Sequence, residues 1–356
     1  MSLIFQVVSG LGTFLPEDPK AAEQQRDQLR QIVAQAEDGE QSPKKIIRAI
    51  KNMIGKDPLF LRGYALAGEI LGNAGEDDKA SELYVKGCRA TLKIIPETYQ
   101  GPLDLDNADV QCFLSCHAGY VEALVAKGDY AAALEASHRQ LAFDPDDQFD
   151  RRRELGELSI MTGRLDEAES ILNAQLEERA TAWYSLAYLA LQNHDFVTAA
   201  TRLRRAFVLA PYAVDFLTGR LTAPNIFWEQ GPRAPEPHDD LLYVEMLGGD
   251  LWSENKTASE FIIWLSQTAS ALGERSAMVS LSERCFVDEI SDEEAEMEFR
   301  ALWASIDADS STRLTRRVRD PREGRELYPW EMLALDQARS MEEDQDPDEE
   351  ADDDED

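Results

Sequence analysis

The chain has 356 residues, 43% of them apolar and 29% charged, with 69 acidic residues against 36 basic ones and a formal net charge of −33. That length allows a large core and more than one structural segment, and that charge repels nucleic-acid phosphates and anionic lipid, so neither DNA, RNA nor a membrane is the expected partner. The sequence has no apolar run near the roughly 18 residues that a membrane-spanning helix needs, and its four cysteines, Cys88, Cys112, Cys116 and Cys285, show no CxxC spacing, which favours a reducing, cytoplasmic setting.

The opening stretch MSLIFQVVSGLGTFL is apolar, but no basic residue precedes it and Ser9, Gly10 and Gly12 interrupt it. It reads as a docking strand or helix rather than a signal peptide. Asp18–Pro19 and Ser42–Pro43 each place a capping residue before a proline at the first helical position. Behind them Leu29, Ile32, Val33 and Ala36, then Ile46, Ile47, Ile50 and Ile54, fall at helical spacing up to Pro58. Further helix pairs follow, with turns at Gly75, Gly128, Gly163 and His194–Asp195. An irregular segment, PETYQGPLDLDNAD, interrupts them at about 96–110, and Pro211 closes the last pair.

Units starting at Asp27, Leu61, Leu114, Phe149 and Ala180 carry Ala34, Gly68, Val121, Gly156 and Ala187 at their eighth position, and Ile46, Ala80, Ala133, Ala168 and Ala199 at their twentieth. Small residues where helices cross, recurring with a period of about 34 residues, resemble the tetratricopeptide repeat, a helix–turn–helix unit. The resemblance implies an all-α chain, an α-solenoid of about five helix pairs over 27–211. A segment 1–26 precedes the array, and a helical extension over 212–341 follows it. Helical signals in the extension run from Asp239, from Ser253 and from Arg275; Ser291 with Glu294 forms a capping box, and Pro329 opens a last helix. Residues 342–356 hold 12 acids and no base, a composition that predicts a disordered tail. The stretch Pro211–Leu265, with PYAVDFLTGR, DDLLYVEML and FIIWL, is more weakly similar to the suppressor-of-tumorigenicity branch of repeat proteins. Ala213 and Thr218 depart from that pattern, and the similarity would imply only a helical continuation.

No constellation points to catalysis. Cys112 and Cys116 share a helix face, His117 points about 100° away on a helix of 3.6 residues per turn, and a closed zinc site needs four converging ligands. Walker, GxGxxG, HExxH and GxSxG motifs are absent. No catalytic, metal or cofactor residue is therefore expected, and the chain is read as a non-enzyme. The tetratricopeptide resemblance implies instead a concave groove lined by the first helix of each unit. Its positions fall on Arg62, Glu69, Glu122, Arg153, Glu157, Ile160, Tyr184, Tyr188 and Leu191. The lysines and asparagines of the family's two-carboxylate clamp are missing, so a chaperone C-terminal tail is not the expected ligand. Tyr184 and Tyr188 read as anchors for a peptide, with packing against the extension as the alternative. The leading expectation is an interaction scaffold that binds a protein segment in this groove. The rival readings are an acidic chaperone or electrostatic decoy for a basic partner, and an enzyme with its site in the C-terminal helices.

Overall fold

A computed structural model describes residues 3–37, 42–220, 237–287 and 289–344. The chain forms two compact units, Met1–Thr162 and Gly163–Asp356. It is predominantly helical, in agreement with the all-α helical-repeat class, with two small antiparallel hairpins that the composition does not announce.

The first unit opens with strands β1 (Leu3–Val8) and β2 (Leu11–Pro16). Ser9 and Gly10 join them with φ of 53° and 87°, the left-handed pair that a two-residue turn needs to match strand twist. Helices α1 (Pro19–Glu37), α2 (Pro43–Lys56), α3 (Leu61–Asn73), α4 (Asp77–Leu92), α5 (Ala108–Val125), α6 (Tyr130–Phe143) and α7 (Arg152–Met161) follow. The Asp18 carboxylate accepts from the Lys20 and Ala21 amides at 3.0 and 3.2 Å, as its sequence context predicts. Ser42 adopts the extended cap backbone, but its hydroxyl makes no cap bond.

The irregular segment ahead of α5 is held by the hairpin. Gly12 donates to the Pro102 carbonyl at 3.0 Å and accepts from the Asp104 amide at 2.8 Å. The Asn107 amide donates to the Thr13 hydroxyl and the Phe14 carbonyl, both at 2.8 Å, while its own oxygen caps α5 by accepting from the Asp109 amide at 2.9 Å. The Phe14 ring meets Phe5 and Phe113 edge-on, and Phe5 meets Tyr99. The apolar opening stretch is thus a docking strand pair, and it completes the core over Leu103, Val110 and Phe113.

The second unit contains α8 (Leu165–Ala174), α9 (Ala182–Gln192), α10 (Phe196–Leu209), α11 (Pro211–Leu217) and α12 (Pro237–Tyr243). A π-helical turn (Val244–Gly248) leads into α13 (Gly249–Glu254), α14 (Lys256–Ser266), α15 (Ala269–Phe286), α16 (Asp292–Ser305) and α17 (Ala308–Leu314). The short strands β3 (Val318–Arg319) and β4 (Glu326–Leu327) precede α18 (Pro329–Asp344). The helical signal expected to run on from Ser253 is cut into separate helices, because Asn255 caps α14 through the Ala258 amide and Thr268 caps α15 through the Ala271 amide. The Ser291–Glu294 capping box is formed. The proline-rich spacer 221–236 and tail residues 345–356 lie outside the described residues.

The compact units do not follow a boundary at 211. Helices α9 and α10 share their core with the extension: α10 packs on α11, α14, α15 and α17. The Arg204 guanidinium, 2% exposed, pairs with Glu274 and donates to the Ser310 and Ser311 hydroxyls at 2.8 and 3.0 Å. Arg275 is paired with Asp215 at 2.7 Å and bonds the Pro211 carbonyl at 2.9 Å. The buried Asp240 carboxylate accepts from the Tyr212 and Ala213 amides at 2.9 and 3.1 Å, capping α11. Phe196, Phe261, Trp264, Tyr328 and Trp330 form one aromatic cluster across α10, α14 and α18. Arg205 stacks over both Trp183 and Trp303.

The helix pairs share a turn geometry. Gly75, Gly128 and Gly163 stand at the fifteenth position of their units with φ of 70°, 71° and 75°, and His194 occupies the same position with φ of 56°. Only glycine adopts this conformation without steric cost. His194→Gly should therefore stabilise the protein by about 0.5–1 kcal/mol and Gly128→Ala should destabilise it by about 1–2 kcal/mol, both read from urea melts. A second expectation concerns the buried pair. Arg204→Met strands the Glu274 carboxylate and should cost about 3–5 kcal/mol, whereas Arg204→Met with Glu274→Leu should recover much of that loss.

Candidate functional site

The groove positions read from the sequence fall into two groups, one in each unit. In the first unit Arg62 is half-buried, and its Nε donates to Asp109 Oδ1 at 2.7 Å, which places the Asp109 carboxylate at the N-terminal turn of α5. Arg153 sits 3.4 Å from Asp150. Glu69 is exposed on α3, and Glu122 is 59% exposed on α5. Glu157 is buried in α7 at 1% exposure, and Ile160 is buried beside it. Glu69, Glu122 and Glu157 hold the same ninth position of three successive units, so the repeat itself generates a row of carboxylates.

Tyr84 on α4 is wedged between α3 and α5. A Cβ built on Gly68 of α3 would lie 2.4 Å from its ring, and one on Gly119 of α5 would lie 2.3 Å from it. Both helices can lie against this ring only because each presents a glycine. Burial foremost pushes the Tyr84 phenol up to about 12, and the negative charges of Cys116, Glu122 and Glu69 add to it. Glu122 and Glu69 thus both act on one phenol. The Glu122 carboxyl is itself raised, because the surrounding protein displaces water from around it, and Arg151 partly offsets this. The protein still displaces water on the inner side of this carboxylate while its outer side stays exposed.

Arg151 escaped the sequence reading. It is buried at the start of α7, 3.4 Å from Glu154 and 3.8 Å from Glu122, with its Nε on the Phe149 carbonyl at 3.1 Å. Its charge is therefore committed to neighbours, as are those of Arg62 and Arg153. The signal that could have found it is the RRRE run, in which one arginine of three must turn inward to reach Glu154 on the same helix.

The second unit overturns the aromatic anchors. Tyr184 is fully buried, its hydroxyl donates to the Ala210 carbonyl at 2.7 Å, and its ring packs against Tyr243 and Phe207. Tyr188 meets Trp252 edge-on with centroids 5.6 Å apart, and Leu191 is buried too. Tyr243 gathers this region, since its hydroxyl accepts from Ser185 Oγ and from Trp252 Nε1, each at 3.2 Å. Tyr184 and Tyr188 are thus covered by Tyr243 of α12 and Trp252 of α13, Leu191 is also buried, and none of the three offers an open surface to a ligand. The warning was in the sequence: AWYSLAYLAL carries apolar residues on every face, and such a helix is buried all round.

The cysteine and histidine cluster of α4 and α5 is core. Burial raises the Cys88 thiol to about 12, the Cys112 thiol to about 11 and the Cys116 thiol well above its ordinary value. His117 is 1% exposed, pairs with the Gln140 side chain at 3.2 Å and packs edge-on against Phe113, Phe143 and Tyr120. Among the described residues no group of three or more His, Cys, Asp or Glu side chains is placed to hold a metal ion. No helix among them is long and apolar enough to cross a membrane.

A family model of the tetratricopeptide repeat matches residues 124–187, from the end of α5 through α6, α7 and α8 into α9. With the recurring small positions and left-handed turns, the match identifies these helix pairs as tetratricopeptide repeats, which as a class mediate protein–protein interaction. It does not extend to the suppressor-of-tumorigenicity branch, and a search of the curated proteins found no match.

Burial lowers the His117 imidazole from 6.5 to about 4, against the smaller opposing effect of Gln140. As pH falls, the unfolded chain takes up this proton before the folded one does. The stability linked to His117 is therefore complete above pH 6.5 and is lost as pH falls through about 4. Urea titrations between pH 7 and 4 should show a loss of up to ~3 kcal/mol in the wild type that is absent in His117→Gln, after subtraction of the shared carboxylate contribution.

Proposed function

We propose that the protein is a non-enzymatic cytoplasmic scaffold whose first unit binds a basic segment of a partner protein on the α3–α5 face. One observation carries this reading. Glu69 and Glu122 are both exposed, Arg62 and Arg153 are paired with Asp109 and Asp150, and Arg151 sits closer to Glu154, at 3.4 Å, than to Glu122, at 3.8 Å. An arriving lysine or arginine would find Glu69 exposed and, at Glu122, a carboxylate whose internal cation is shared with Glu154. The overall charge of −33 would steer such a segment toward the protein. The same charge favours neither nucleic acid nor an anionic membrane.

Basic peptides rich in lysine and arginine, followed by fluorescence anisotropy, serve as probes. Glu69→Gln with Glu122→Gln should weaken binding at least tenfold, about 1.4 kcal/mol, and affinity should fall steeply with salt. Equal binding by the double variant would remove the groove assignment. The rival reading, an acidic decoy acting through the 12 acids of residues 342–356, is favoured by that run alone. It requires the loss of affinity to follow deletion of 342–356 and not the glutamate changes.

A further inference from the structure

One segment of the second unit reverses the acidic character of the chain. Residues 313–325 hold six arginines and two acids, in a sequence where acids outnumber bases 69 to 36. The segment runs from the last turn of α17 into the β3–β4 hairpin, and all six arginines are exposed. Its two acids are already engaged. Arg339 of α18 donates to Asp320 at 3.2 Å and to Glu323 at 2.9 Å, and Arg325 lies 3.0 Å from Glu323.

Four of the arginines keep their charge open. Arg313, Arg316, Arg317 and Arg319 have no ion-pair partner among the described residues. Arg317 lies over the Tyr328 ring, 4.5 Å from its centroid, and Arg319 donates to the Gly324 carbonyl at 3.1 Å. These contacts orient two guanidinium groups without neutralising them. Glu326 and Glu331 act on Arg317, and Asp307 on Arg313, from beyond ion-pair contact.

The chain itself ends beside this cluster. Arg339 ties α18 to the hairpin turn, and about 8 Å of helix separates it from Asp344, where α18 stops. Residues 345–356 follow, with nine acids and no base. Fully extended they span up to about 40 Å, and their like charges favour extension.

We propose that residues 345–356 dock, within the same molecule, onto the arginine cluster of α17 and the β3–β4 hairpin. Charge complementarity makes the match, and the tether selects the occupant. A short tether holds a segment at an effective concentration of roughly millimolar, which an acidic segment of another molecule must match to displace it. A second copy, with its own net charge of −33, also approaches against repulsion that the tethered segment does not meet. Guanidinium groups stay charged throughout the physiological pH range and take carboxylates in two-bond forks, so the contact yields to salt rather than to pH. The acids of 345–356 are then engaged internally instead of being presented to a basic partner. Neither Glu69 nor Glu122 takes part, so this contact stands apart from the site of the first unit.

Arg316→Lys keeps the charge and supplies an amine for zero-length coupling to carboxylates by a water-soluble carbodiimide. In the full chain at low salt, mass spectrometry of the linked peptides should join position 316 to acids of 345–356. In a mixture of isotope-labelled and unlabelled protein, both linked peptides should come from the same copy. The yield should be unchanged on dilution and should fall at least fivefold at high salt. Adding Arg313→Glu and Arg317→Glu should reduce it at least fivefold with the helical melt unchanged. Should that variant lose its melt, Asp352→Asn with Asp353→Asn and Asp354→Asn carries the same test from the other side of the contact. Absence of a link from position 316 to 345–356 would overturn the proposal. So would links that join different copies, or a yield indifferent to salt and to these charge changes.

Discussion

A helix pair has two apolar flanks, and a stack of pairs must cover whatever its neighbours leave bare. That constraint shapes both units. Between α3 and α5 the flank is closed by a single ring, Tyr84, wedged where Gly68 and Gly119 leave room. Beyond α5 the bare core of Phe113 and Val110 is closed by strands folded back from the start of the chain, pinned by Asn107 and the loop before it. In the second unit α9 and α10 are closed by the extension, with Arg204–Glu274 and Arg275–Asp215 as charged fasteners. The irregular segment at 96–110 is held against the hairpin by the bonds of Gly12 and Asn107.

How the flanks are covered decides where a partner can bind. The tyrosines that a groove would use as anchors are spent on packing in the second unit. In the first unit the ninth-position residues Glu69 and Glu122 are exposed, with Arg151 3.8 Å from Glu122 and with Arg62 and Arg153 paired with Asp109 and Asp150.

The repeat register was legible because it rests on local rules: a small residue at a helix crossing, a left-handed turn, a proline beyond the last turn. Even the equivalence of His194 with three turn glycines follows from counting. Cap residues inside an apolar stretch were harder, and Asn255 and Thr268 split a helical signal that periodicity alone runs together. The burial of Tyr184 was not legible from groove positions, since those describe a repeat with nothing lying over it. It depends on Tyr243 and Trp252, some 60 residues away in sequence by the 184-to-243 separation, which no local pattern connects to α9. Arg151 was missed for a related reason: a surface arginine and an inward one look alike until their carboxylates are placed.

The capping of α11 by Asp240 makes a short helix depend on a distant residue. A seven-residue helix gains too little from its own hydrogen bonds to persist alone, and Ala210 before it has no side chain to cap it. The cap arrives instead from a carboxylate 28 residues downstream. The intervening chain must therefore close on itself before α11 has its full set of amide partners, at an entropy cost that grows only slowly with the length of the loop. α11 is thus fixed by a tertiary contact rather than by its own sequence.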